Sequence, residues 1–398
     1  MAGDDGFGPG RFMNDRLLDG VSVLDLTAMG PGPRCARILA DHGARVIQVV
    51  PSRLQPQIEL PDWLYSWSRE VDRVGIDLKD ERGVELVASI AERVDAVVES
   101  FRPGVAERLG LGYDALSKRR DDIVYASVSG YGQSGPYASW AAHDLNWLGV
   151  CGYLSLTGRD AEGLPALPGS PIADGAGGWA AATAVLAALL RRTRTGEGAH
   201  LDVAVVEAVL RQTYVHVDQF LATGSGPAQG DDQLLGGRAF YSVYRCGDGR
   251  DVTVAAVEPK FFANLCRLLD LEEFAGAQHD PDRQPEIRAA FADRFGTRSR
   301  DEWVAVLGPA DTCVAPVNSI DEVATDRHLM ARDAVWSVAH HDGRPVTQVA
   351  PILVGGSRPP TDTVTLHDRS TTSTAGLLED LELQSAMTAT LAAEGVLR

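Results

Sequence analysis

The chain has 398 residues, 44% of them hydrophobic and 23% charged, enough for two substantial cores and too much for a single small module. A formal net charge of −18 argues against binding nucleic acid or anionic lipid, because neutralising phosphates needs clustered Lys and Arg. No apolar run approaches the roughly 20 residues that span a bilayer, and MAGDDGFGPGRFMNDRLLDG is acidic and Gly-rich, so the expectation is a cytoplasmic protein without membrane insertion.

Two β-branched runs, VSVLDLT (21–27) and ARVIQVV (44–50), flank GPGPRCARILADHG, whose apolar spacing after Pro31 and Pro33 predicts a helix. RVGIDL (73–78) leads into GVELVASIAERV, DAVVES (95–100) reads as a buried strand, and DIVYASVSG (122–130) as the next. Strands alternating with helices predict an α/β fold whose parallel sheet is covered on both faces. Gly130–Gly135 spells G-x-G-x-x-G, but Pro136 follows at once and no acidic strand end lies about 20 residues on, as a dinucleotide site requires. A Gly-rich strand-to-loop turn is the better reading.

Residues 175–194 predict a long, deeply packed helix with Asp174 as its N-cap and cations at its C-terminal end. TGSGPAQGDDQLLGG (223–237) marks a linker or loop, and AFYSVYRCGDGRDVTVAAV predicts a hairpin turning at Gly247–Asp248–Gly249, followed by helices such as PKFFANLCRLLDL. This lobe is expected to be α+β and to end near residue 330, after which strand and helix return to complete the first domain. Five scattered cysteines without CxxC spacing read as structural thiols, and no metal site is expected.

Several stretches together carry a resemblance: VLDLTAMGPGPRCARILADHGARVIQV, VGIDLKDERG, DAVVESFRPGVAERLGLGYDAL, IVYASVSGYGQSGPY, HDLNWLGVCG, ADGAGG and RTGEGAHLDVAVVEA. The chain resembles the superfamily of family III CoA-transferases and α-methylacyl-CoA racemases, from about residue 20 to the C-terminal helix. The resemblance implies a Rossmann-like large domain (1–205), a linker helix and loop (206–230), a small α+β domain (231–330) and a return segment (331–398). It further implies an interlocked homodimer whose active sites lie between the large domain of one subunit and the small domain of the other.

Within that superfamily Asp174 matches an acidic position that is a nucleophile in the transferases and a general acid/base in the racemases. His143, before the Asp of HDLNW, and Glu258, in VEPKFF, favour the racemases. The chemistry makes the same demand: inverting a centre α to a thioester carbonyl needs a base on each side of the carbon. The resemblance implies that Glu258 orients His143 while Asp174 faces the other side of the substrate. Each residue also has a plainer reading: His143 as a capping or core histidine, Asp174 as an N-cap, and Glu258 as a surface strand end. Gly175 and Gly177 are expected to offer backbone N–H groups to the enolate oxygen and to let the thioester come close.

The resemblance implies that coenzyme A enters as part of the substrate, and no other cofactor is expected. The resemblance implies that Arg102, Arg108 and Arg69 hold its phosphates; Val71 and Asp72 stand where basic residues are usual, and Arg53, Arg73 and Lys79 are candidates to compensate. The stretch 51–68, with Trp63, Tyr65 and Trp67, reads either as an acyl or aryl pocket lining or as a lid on the core. The leading expectation is a racemase or epimerase of 2-methyl-branched acyl-CoA thioesters. A CoA-transferase with Asp174 as nucleophile and a non-catalytic acyl-CoA-binding member are the alternatives.

Overall fold

The computed structural model describes residues 16–52, 69–227, 230, 232–340, 342–352, 361, 364–366, 374–383 and 386–398. The chain divides into two compact units, one of residues up to Cys151, Gly169–Gln212 and from His328 onward, the other of Gly152–Pro168 and Thr213–Arg327. The stretch 152–168, assigned from sequence to the large domain, thus groups with the second unit.

In the first unit, β1 (Ser22–Leu26) leads through α1 (Pro31–Asp41) to β2 (Arg45–Val50), and β3 (Val71–Gly75) through α2 (Glu81–Ala91) to β4 (Ala96–Glu99). Short helices α3 (Val105–Arg108) and α4 (Tyr113–Leu116) precede β5 (Val124–Ser129). After α5 (Asp144–Val150) and, in the second unit, α6 (Tyr153–Leu156) come α7 (Ile172–Thr195), β6 (Ala199–Ala204) and α8 (Val205–Thr223), inside which the division falls. The six strands form one sheet in the order β3-β2-β1-β4-β5-β6, every pairing parallel. This is the doubly wound, Rossmann-like arrangement, in which the direction of winding reverses between β1 and β4.

β1, β4 and β5, inside the sheet, carry β-branched residues and are buried on both faces because helices cover both. On one side α2 and the helices Thr374–Asp380 and Ala386–Ala393 contribute Leu86, Ile90, Leu377, Leu378 and Leu391 to a core with Leu24, Ile47 and Val97. Asp80 starts α2 by accepting the Arg82 backbone N–H at 2.9 Å. Arg398 exchanges two backbone hydrogen bonds with Gly75, at 2.8 and 3.0 Å, and so covers the β3 edge. On the other side α1 and α7 pack together and against the sheet. By length and composition α7 could cross a membrane, contrary to the sequence reading; its apolarity is largely alanine, which suits this close helix packing.

The second unit holds an antiparallel sheet, β7 (Tyr241–Arg245), β8 (Asp251–Ala255) and β9 (Val314–Pro316), under α9 (Pro259–Leu268), α10 (Gln284–Phe295) and α11 (Arg300–Leu307). Phe240, Phe262, Phe291, Phe295 and Trp303 fill its core. Back in the first unit, β10 (Val335–His340) pairs with β11 (Pro345–Val349) and β12 (Thr365–Leu366) in a small mixed sheet.

Candidate active site

In open parallel sheets ligands bind beyond the carboxyl ends of the strands, where the winding reverses. A cleft of about 390 Å³ lies there. Met29–Pro31 after β1, Ser100–Pro103 after β4 and Val128–Gly130 at the end of β5 form one side, and Trp140–His143, Asn146, Trp147 and Asp174 complete it. Two glycines make the approach possible. A Cβ on Gly130 would stand 2.6 Å from Trp147 Nε1, and Gly30, at φ +79°, sits where a Cβ would be 3.4 Å from Asp174 Oδ1. Trp140, 55% exposed, stacks on Tyr137 with ring centroids 4.0 Å apart and gives the cleft an aromatic wall.

His143 is the N-cap residue of α5, its backbone N–H donating to Asn146 Oδ1 at 2.9 Å while its ring borders the cleft. Asp144 Oδ1 accepts the backbone N–H of Asp174 at 2.8 Å and so ties α5 to α7. The Asp174 side chain is 17% exposed, with Arg34 Nη2 at 3.6 Å from its Oδ2. Burial pushes its carboxyl above the usual aspartate range; the Arg34 guanidinium opposes this, the Asp144 carboxylate adds to it, and His143 opposes it. The two acid–base side chains read from the sequence therefore share one cleft.

The structure corrects the expected role of the ADGAGG segment. Pro171, not Asp174, is the N-cap of α7, and Asp174 lies in its first turn. The Gly175 N–H donates to Pro171 O at 3.4 Å, while Gly177 lies inside the helix with its missing side chain against Pro31 and Val205, at 3.0 Å from each. Gly175 and Gly177 are thus not free donors for an enolate oxygen; the glycines let α1 close on α7.

The expected phosphate-binding cations separate into two groups. Arg69 is 2% exposed and committed to Asp41 at 2.9 Å, Gln348 at 2.8 Å and Val349 O at 3.0 Å, with its guanidinium over Trp336. Arg73 is buried and donates to Gln48 Oε1 at 2.9 Å, and Gln48 donates to Asp25 Oδ2 at 2.9 Å, a polar ladder across the register partners of β3, β2 and β1. Neither arginine is presented to a ligand: both are consumed inside the fold. Val71 is a buried strand residue and Asp72 pairs with Arg45 at 3.2 Å. By contrast Arg102 lines the cleft and is exposed, and Arg108 is exposed beside Gly104. Lys79 is exposed too. Arg53 and the aromatic stretch 53–68 lie outside the described residues.

Glu258 belongs to the second unit, exposed as the N-cap residue of α9, where, after burial, it adds to the upward push on the Cys313 thiol. Among the described residues, those that line the cleft belong to the first unit. After Gly130 the chain runs as a loop to His143, and the Gln133 N–H donates to the Asp202 carboxylate at 3.0 Å, so no phosphate-binding helix follows the G-x-G-x-x-G string. Sequence reasoning missed Arg34, Asp144 and Gly30, although all three stand in the motifs GPGPRCAR and HDLNW or just before them.

The chain matches the model of CoA-transferase family III over residues 18–364. It is 35% identical over 347 residues to the alpha-methylacyl-CoA racemase of Homo sapiens, covering 85% of this chain and 86% of that protein. To the acetyl-CoA:oxalate CoA-transferase of Acetobacter aceti it is 29% identical over 334 residues, covering 79% and 84%. A crystal structure of a CAIB/BAIF family protein from Brucella suis matches with a TM-score of 0.76 at 25% identity, covering 92% of this chain and 99% of that one. With the family model spanning most of its length and a racemase relative matched across both proteins, the chain belongs to CoA-transferase family III.

Proposed function

We propose that the chain is a racemase or epimerase of 2-methyl-branched acyl-CoA thioesters, working by α-proton abstraction and reprotonation through an enolate. The observation that carries this reading is the pairing of an imidazole, His143, and a carboxyl of raised pKa, Asp174, on the wall of one cleft. One of the two takes the α-proton in its base form and the other returns a proton in its acid form. A carboxyl lifted by burial is suited to both duties, since it holds a proton nearer neutrality than an ordinary aspartate. The identity to a racemase over most of both chains supports the same choice. Glu258 as the partner that orients His143 and the homodimer enter through the resemblance, a cytoplasmic location enters through the sequence composition, and all three form part of the same proposal.

The CoA-transferase reading is favoured by one feature: Gly30 leaves a face of the Asp174 carboxylate without a covering side chain, as a nucleophile needs. Proton NMR in deuterium oxide with a panel of 2-methylacyl-CoA thioesters separates the two. The racemase reading expects deuterium at the α carbon with loss of chirality, cut by about a hundredfold or more in His143→Ala and in Asp174→Asn, and lowered in Glu258→Gln. Undiminished α-protium, together with a covalent adduct on Asp174 and exchange onto a carboxylate acceptor, would establish the transferase instead.

A further inference from the structure

We propose that Arg34 is a positioning residue for Asp174: its side chain lies in a glycine trough on α7, and its guanidinium holds the carboxylate in the cleft. This deepens the reading of Asp174 as an acid–base group and rests on it for the catalytic consequence, while the tether itself does not.

The trough is visible in three successive contacts. A Cβ on Gly178 would come within 2.7 Å of Arg34 Cβ, and one on Gly175 would stand 4.0 Å from Arg34 Nη1. At the end of the side chain Nη2 stands 3.6 Å from Asp174 Oδ2. Gly178, Gly175 and Asp174 follow one another toward the start of α7, three residues and then one residue apart, so they share the face that α1 covers. A side chain at Gly178 would occupy the path the arginine takes, while at Gly175 a Cβ meets only the far end of the arginine, at 4.0 Å. ADGAGG is therefore the groove for a cation on another helix, which accounts for glycines that the enolate oxygen cannot use.

The charged and titratable groups that face Asp174 come from two elements: Arg34 from α1, and His143 and Asp144 from the start of α5. Arg34 is the strongest influence opposing the effect of burial, and Asp144 acts the other way. Without the guanidinium, burial and Asp144 would act on the carboxyl with only His143 against them, and it would hold its proton to higher pH. Arg34 thus lowers the pH at which Asp174 becomes a base, against the larger effect of burial. An arginine that merely latches α1 to α7 would affect stability and leave the titration of Asp174 in place.

The test is a carbon-13 titration of the full-length protein with aspartate labelled at the carboxyl carbon, the Asp174 resonance being assigned by its loss in Asp174→Asn. In Arg34→Met the midpoint of Asp174 should rise by about one pH unit, the size of an ion pair at this separation in a partly hydrated site. In Arg34→Lys, which keeps the charge, most of the rise should disappear. An unmoved midpoint in folded Arg34→Met overturns the proposal, and so does an equal rise in Arg34→Lys; Arg34→Gln serves the same comparison should the Met variant not fold. The pH profile of α-proton exchange should move in parallel with the titration. Absence of exchange in the unaltered enzyme with every thioester would sink the racemase reading, while the titration would still decide on Arg34.

Discussion

Glu99 carries a pH effect on the stability of the first unit that a single substitution can isolate. It sits at the carboxyl end of β4, 3% exposed, and its carboxyl accepts the Phe101 N–H at 2.7 Å, holding the segment Ser100–Pro103 that walls the cleft. Burial pushes it from 4.5 up to about 7, against the hydrogen bonds from Ser127 and Phe101. The folded pKa lies above the unfolded one, so the native state binds the proton more tightly. Below pH 4.5 both states are protonated and Glu99 costs nothing; from there to about pH 7 only the unfolded state gives up its proton, and stability falls; above that the full penalty stands. A gap of about 2.5 pH units corresponds to about 3 kcal/mol. Glu99→Gln keeps an oxygen for the Phe101 N–H and cannot ionise. Urea unfolding at pH 4.5 and pH 8.5 should therefore find the variant near the wild type at the lower pH and about 3 kcal/mol more stable at the higher. Asp25, which burial pushes to about 6, contributes in the same direction but is present in both proteins and cancels. A difference between the proteins that does not change with pH would refute the reasoning.

The two trough glycines should respond with opposite signs: Gly178→Ala forces a methyl against Arg34 Cβ and should cost about 1–3 kcal/mol despite the better helix propensity of alanine, whereas Gly175→Ala meets nothing closer than 4.0 Å and should gain up to about 1 kcal/mol, both read by thermal melting. The arginines should divide in the same manner. Arg102→Ala should raise KM for a CoA thioester about tenfold with kcat little changed, an effect that shrinks at high salt, while Arg69→Met should leave KM in place and cost about 3 kcal/mol of stability by stripping a buried partner from Asp41.

The alternation of β-branched runs with helical spacing was enough to read a parallel α/β sheet, because strands buried on both faces have little freedom of composition. The boundaries were harder to read. A helix that spans both units, α8, offers no composition shift at residue 212, and Gly152–Pro168 looks like any loop until its neighbours are known. For Arg73 the period of two was not enough by itself: V-D-R-V-G puts Arg73 with Val71 on one face and Asp72 with Val74 on the other, and since Val71 and Val74 are both buried, both faces are covered. A motif match identifies a basic residue and the period of two its side of the sheet, but not whether that side is covered.

The site divides along a similar line. His143 and Asp174 were read from the match of HDLNW and ADGAGG to the family, and each sits where the chain enters a helix and lines the cleft. Arg34 and Asp144 act across the fold, on a residue far away in sequence, and no spacing rule reaches that far. Glycine makes the ambiguity worse, since it declares that something approaches closely without saying what. In ADGAGG the approach was read as that of a substrate thioester. What comes close is α1, fixed at its start by Pro31 and Pro33, which carries Arg34 down the groove to the carboxylate. The same six residues thus supply both the cleft carboxylate and the bed of the cation paired with it, so a substitution meant to probe one will disturb the other unless the charge and the space are varied separately.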